Sequence, residues 1–197
     1  GLDANNNFAG RMDITNNVVY NWGSRTTDGG ASEVNFVGNY YKPGPGMELQ
    51  QYALTMDHED NFAGMQRAYF NGNVMPGFFD ETNQELGRRS RLSNGITINY
   101  ETFVNAPFFP SYVTTQSAAN AYNRVLSCLG CVRPEFDEQD QRIIAETLGG
   151  AYTYTGSVTG KKGFPDNESD VGGYENYPVI NRTTDWDSAN DGLPNWW

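Results

Sequence analysis

Basic residues, histidine and cysteine are all scarce in this sequence, and each scarcity closes off a class of function. Thirteen lysines and arginines stand against 24 aspartates and glutamates, which leaves a net charge of −11 over 197 residues. Nucleic acid and anionic membrane surfaces both require a cationic footprint, so neither is a fitting partner. The same charge repels a polyanion at long range. A chain that handles one needs local arginines and lysines, or a bound cation, to offset it. Histidine occurs once, at His58, in a stretch that reads as a loop and offers no partners to make it a general base. Cysteine occurs twice, as Cys128-Leu-Gly-Cys131. Without a second cysteine pair a closed zinc site lacks ligands. A local disulfide and two thiols at a helix end both stay open. No apolar run reaches the ~20 residues of a membrane span. Gly1 is not an initiator methionine, so the expectation is a processed or trimmed chain with residues missing upstream.

What the chain does contain is a pattern that returns. RMDITNNVV at 11–19, EVNFVGNYY at 33–41 and RAYFNGNVM at 67–75 align without gaps. The apolar pairs Met12/Ile14, Val34/Phe36 and Ala68/Phe70 fall in register. So do a charged first position (Arg11, Glu33, Arg67) and an asparagine at the seventh (Asn17, Asn39, Asn73). Alternate residues of a strand face opposite ways, so the even-numbered set is the buried face. The Asn-Asn or Gly-Asn that follows tolerates a left-handed backbone and turns the strand. Such a unit buries its apolar face only by stacking on the next copy. The pattern predicts a right-handed parallel β-helix with Asn17, Asn39 and Asn73 as an asparagine ladder, and an Arg11–Glu33–Arg67 ion ladder on the outside. A first coil so near Gly1 would present a bare edge, which agrees with residues missing upstream.

The rest reads as follows. Residues 24–30 form a short strand and turn, and 47–64 an insertion with a helical turn. Residues 78–94 are polar and loop-like, with Arg88, Arg89 and Arg91 clustered. Thr97 to Phe103 is one more strand, and 105–111 is extended chain laid across a surface. Ser117 caps a helix to about Leu129, and Asp137 caps another to Leu148 that Gly149-Gly150 ends. The division is a solenoid over 1–104 and a helical and extended tail over 105–197, packed on it.

NNVVYNWGSRTTDGG at 16–30 and VNFVGNYYKPGP at 34–45 resemble the C-terminal half of pectate lyases, the family 1 polysaccharide lyases. PFFPSYVTT at 107–115, DQRIIAET at 140–147, DVGGY at 170–174 and the closing DGLP are similar to the tail of secreted bacterial members. The resemblance covers nearly the whole chain. It implies an all-β solenoid, an extracellular setting, and calcium-assisted β-elimination of α-1,4-linked polygalacturonate. It also implies that the Arg-x-Pro-x-x-Arg motif holding the catalytic arginine, and the family's acidic calcium ligands, lie upstream of Gly1. This segment alone is therefore expected to be inactive, and the missing half, as a companion chain, is an expected partner.

Two site expectations remain within these residues. Arg25, in the segment expected beside the cleft, is the first candidate for a uronate carboxylate, with pairing to Asp28 as the alternative. Lys42 is the second, although after the second coil's ladder corner a structural or solvated role reads first. Asp185, Asp187 and Asp191 alternate before Gly192 as in calcium loops, although Ala189 fills a usual ligand position; an aspartate-rich turn without metal is the alternative. The function is thus either part of a pectate lyase-like enzyme or a non-catalytic β-helix that binds acidic glycans or assembles structurally.

Overall fold

The computed structural model describes residues 10–48, 52–58, 64–93, 95–128, 136–174 and 182–195. Among the described residues nine strands join three sheets. The first holds β1 (Arg11–Thr15), β4 (Glu33–Val37), β7 (Arg67–Asn71) and β9 (Phe103–Val104) in that order, and the second β2 (Val18–Tyr20) and β5 (Tyr40–Lys42). The third holds β3 (Thr27–Gly29), β6 (Leu54–His58) and β8 (Arg88–Leu92). The six strand pairings among the described residues are all parallel, and the arrangement is compatible with a parallel β-helix.

The aligned blocks pair in the register the sequence predicts: Arg11 with Glu33 and Arg67, Met12 with Val34 and Ala68, Ile14 with Phe36 and Phe70. The turns that follow sit at positive φ on Asn16 (60°), Gly38 (64°) and Gly72 (66°), the region those residue types tolerate best. Equivalent inward side chains therefore stack. The Phe36 and Phe70 rings lie 5.3 Å apart and 6° from parallel. Val34, Phe36, Tyr41, Leu54, Met56, Ala68, Phe70 and Met75 fill the core. Met12 shares a column with Val34 yet is 48% exposed, because β1 has β4 as its one strand partner among the described residues.

At the turn, the Asn17 backbone N–H and Nδ2 both donate to Asn39 Oδ1 at 2.9 Å. Asn39 repeats this toward Asn73 Oδ1, at 2.9 and 3.0 Å. Gln84 then accepts from the Asn73 N–H at 3.0 Å and donates from Nε2 to the Asn73 carbonyl at 2.7 Å.

The outer face of the first sheet is covered by residues 107–116. Asn35 faces away from the core but is buried, because its amide accepts from the Phe108 N–H (3.1 Å) and donates to the Phe109 carbonyl (3.0 Å). Asn16 likewise ties down Thr114 and Gln116. The expected ion ladder forms only in its first half. Arg11 meets Glu33 at 2.6 Å and lies over the Phe109 ring at 5.7 Å, whereas the Arg67 guanidinium lies over the Phe108 ring at 5.3 Å.

The helices α1 (Ala118–Cys128) and α2 (Glu138–Gly149) match their sequence signals. The Asp137 carboxylate accepts from the Asp140 N–H at 2.7 Å, and Gly150 turns left-handed at φ 64°. Leu129 and Cys131 lie outside the described residues; Cys128 ends α1, exposed. Two segments depart from expectation. Residues 54–58, read within an insertion carrying a helical turn, are strand β6, and 88–92, read as loop, are strand β8. The expected strand at 97–103 shrinks to Phe103–Val104.

Candidate functional site

The third sheet presents two unlike faces. Leu54, Met56 and His58 of β6 point inward and are buried, while Thr55 and Asp57 point outward. The parallel register sets Arg89 beside Thr55 and Arg91 beside Asp57. Arg89 Nε donates to Thr55 Oγ1 at 3.1 Å, and its guanidinium lies 4.8 Å from the Tyr52 ring centroid. Arg91 grips Asp57 in a two-pronged pair, Nε to Oδ1 at 2.5 Å and Nη2 to Oδ2 at 2.6 Å. The same Nη2 reaches Asp28 Oδ2 on β3 at 3.2 Å, and Arg25 Nη1 donates to that oxygen at 3.1 Å. The Asp57 hydrogen bond, with help from the charges of Asp57 and Asp28, holds the Arg91 pKa above the ordinary arginine range. Three arginines against two aspartates leave this face one positive charge, on a chain of net charge −11. Guanidinium forks of this kind suit planar carboxylates.

Behind the face, β6 ends on a buried polar node. The Tyr100 hydroxyl accepts from the Gln66 N–H at 3.0 Å and shares a hydrogen bond with His58 Nδ1 at 3.2 Å. His58 Nε2 shares a second hydrogen bond with Thr102 Oγ1 at 3.0 Å. Burial pushes the His58 pKa below its usual value, and the neighbouring Asp57 charge opposes this only in part. A Cβ at Gly30 would stand 2.6 Å from the Asp57 carbonyl oxygen, so the chain leaving β3 passes this closely only as glycine.

The expected site residues fall in different places. Arg25 stands beside β3, paired with Asp28 and 68% exposed along its side chain. Lys42 ends β5 on the second sheet, and its Nζ donates to the Leu148 carbonyl (2.9 Å) and the Tyr122 hydroxyl (3.0 Å). Its charge thus meets the carbonyl end of α2, where a cation is favoured. Arg25, ahead of β3, and Lys42, on β5, stand by different sheets and hydrogen-bond to different partners. In the tail, Asp187 accepts the Asp191 N–H at 3.1 Å and the Gly192 N–H at 2.8 Å, and Asp191 accepts the Leu193 N–H at 2.9 Å. Asp185 contributes its backbone carbonyl, to Asn195. These carboxylates close their own turn, and no group of three His, Cys, Asp or Glu side chains among the described residues is arranged to hold a metal ion.

Sequence reasoning passed over Asp57, Arg89 and Arg91 as a site. The signal was available: Asn39 and Asn73 are 34 residues apart, and the same offset carries Thr55 to Arg89 and Asp57 to Arg91.

Comparison with known proteins gives a consistent result. A probable pectate lyase C of Aspergillus flavus is 27% identical, over 94% of this chain and 41% of its own length. The likeness is to pectate lyases, at the level of the family. Probable pectate lyase C proteins of Aspergillus oryzae and Aspergillus fumigatus are each 26% identical, over 94% and 80% of this chain. The chain spans about two-fifths (41%) of the length of these curated relatives, all of them fungal. No protein-family profile matches the chain.

Proposed function

We propose that these residues are the C-terminal portion of a right-handed parallel β-helix of the pectate lyase type, acting outside the cell on polygalacturonate. The observation that carries the reading is a similarity to probable pectate lyases running along 94% of the chain, on strands that pair in parallel at the repeat the sequence shows. The asparagine-to-asparagine hydrogen bonds support the solenoid assignment in particular. In the reaction, a base takes the proton on C5 of a uronate, the C4–oxygen bond breaks, and a C4–C5 double bond forms. Calcium would supply positive charge to the neighbouring carboxylate, from ligands outside these residues. The catalytic arginine also belongs to residues outside these 197, in a longer chain or a companion. What this segment contributes is the arginine face of the third sheet. There Arg25, the most exposed of its cations, receives a uronate carboxylate.

The test has two parts. Residues 1–197, titrated calorimetrically with oligogalacturonate, are expected to bind, with Arg25→Gln weakening affinity about tenfold, the worth of one charge-assisted hydrogen bond. Incubated with polygalacturonate and calcium, the same segment is expected to show no growth in the ultraviolet absorbance of unsaturated uronate. Absence of binding would overturn the substrate assignment. Clear turnover would place a base within these residues after all.

A further inference from the structure

We propose that Arg91 is a positioning residue that orients Arg25, through Asp28, for a carboxylate-bearing ligand on the outer face of β3, β6 and β8. The inference rests on the polygalacturonate reading and adds to it how the binding cation is held.

The order of the contacts carries the argument. Arg91 is anchored first, since both nitrogens of its fork that meet Asp57 lie within 2.6 Å of a carboxylate oxygen, and parallel register fixes the two residues side by side. Its Nη2 is left to divide between Asp57 and Asp28. Asp28 is thereby pinned from the far side of the sheet, with 18% of its side chain exposed. The oxygen it offers to Arg91 is the one that holds Arg25 Nη1. Arg25 itself lies ahead of β3, outside any strand. Ligand binding by such a side chain must freeze several rotors, and a fixed partner that freezes them beforehand removes part of that cost.

Charge points the same way. Both oxygens of Asp57 are taken by Arg91. Asp28, shared between two guanidiniums, neutralises neither fully, and Arg25 retains positive charge for a ligand. Without Arg91, Asp28 would pair with Arg25 alone and quench it. Loss of Arg91 therefore weakens binding at Arg25 even where Arg91 touches no ligand.

The test is a double-mutant cycle in residues 1–197, with trigalacturonate as probe and calorimetry as readout. Arg91→Gln is expected to weaken affinity about three- to fivefold, within the range of solvent-facing ion pairs. Arg25→Gln combined with Arg91→Gln is expected to bind no more weakly than Arg25→Gln alone. Multiplying effects, or full rescue by Arg91→Lys, which keeps the charge but not the fork, would overturn the inference. A ligand-free measurement stands beside it: the nitrogen-15 heteronuclear Overhauser effect of Arg25 Nε–Hε is expected to fall in Arg91→Gln and in Asp28→Asn. An unchanged Arg25 signal overturns the positioning role even where trigalacturonate binds. If trigalacturonate fails to bind the parent protein, the polygalacturonate reading falls, and the Arg25 signal alone decides whether Arg91 positions it. Melting temperatures of all variants show whether each is folded.

Discussion

Asn39 holds more of the structure together than its size suggests. Its Oδ1 accepts from the Asn17 N–H and Nδ2, while its own Nδ2 reaches both Asn73 Oδ1 and the Ile14 carbonyl. It is fully buried. Asn39→Ala removes one partner from each bond and leaves the others in place without water. The expected loss is about 1–3 kcal/mol, readable in a denaturant titration; an unchanged midpoint would deny these bonds their role. The asparagine was legible in the sequence because it recurs in a fixed column. His58 was not, because a lone histidine carries no pattern. Its node with Tyr100 and Thr102 joins segments 42 and 44 residues apart. It also makes stability depend on pH. The folded pKa lies below the unfolded value of 6.5, so the unfolded chain takes up a proton that the folded chain refuses. Stability is then full above pH ~6.5 and falls as pH drops through and below it. Denaturation at pH 7.5 and 5.5 is expected to show a lower midpoint at 5.5, and His58→Gln to narrow the gap. The lowered carboxylate pKa values of Asp80, Asp166 and Asp170 act in a more acidic window.

Among the elements, those with a local signal could be read and those made by their neighbours could not. Both helices announce their ends, through Ser117 and Asp137 at the start and Gly150 at the close. Strands β1, β4 and β7 announce themselves by alternation. Strand β8 has the sequence Arg-Arg-Ser-Arg-Leu, which alternates in nothing that a hydrophobic pattern detects. It is a strand because β6 offers it a parallel edge and because Asp57 and Thr55 meet its arginines. Its role in the candidate site was hidden for the same reason. Lys42 was legible by its place, since a cation after the ladder corner reads first as structural, and its Nζ donates to the Leu148 carbonyl at the end of α2. Lys42→Met is expected to leave trigalacturonate affinity unchanged while amide exchange quickens along α2. Loss of the Lys42 charge at the helix end costs about 0.3–1 kcal/mol. A weakened trigalacturonate affinity would return Lys42 to the ligand face.

At the scale of the whole molecule, the hydrogen bonds between asparagines have a sense. The amide oxygens of Asn39 and Asn73 each receive two donors from the repeat before, and the amide nitrogens of Asn17 and Asn39 give to the repeat after. The row therefore has a head and a tail, as a growing polymer does. At the tail, Gln84 supplies from 11 residues away the oxygen that a fourth asparagine would have supplied, and it returns a bond to the Asn73 carbonyl as well. A repeat laid beyond Asn73 would have to displace it. At the head, no described residue donates to Asn17 Oδ1. The row of amides thus closes on a glutamine one strand before its sheet does, since β9 still pairs with β7 beyond it.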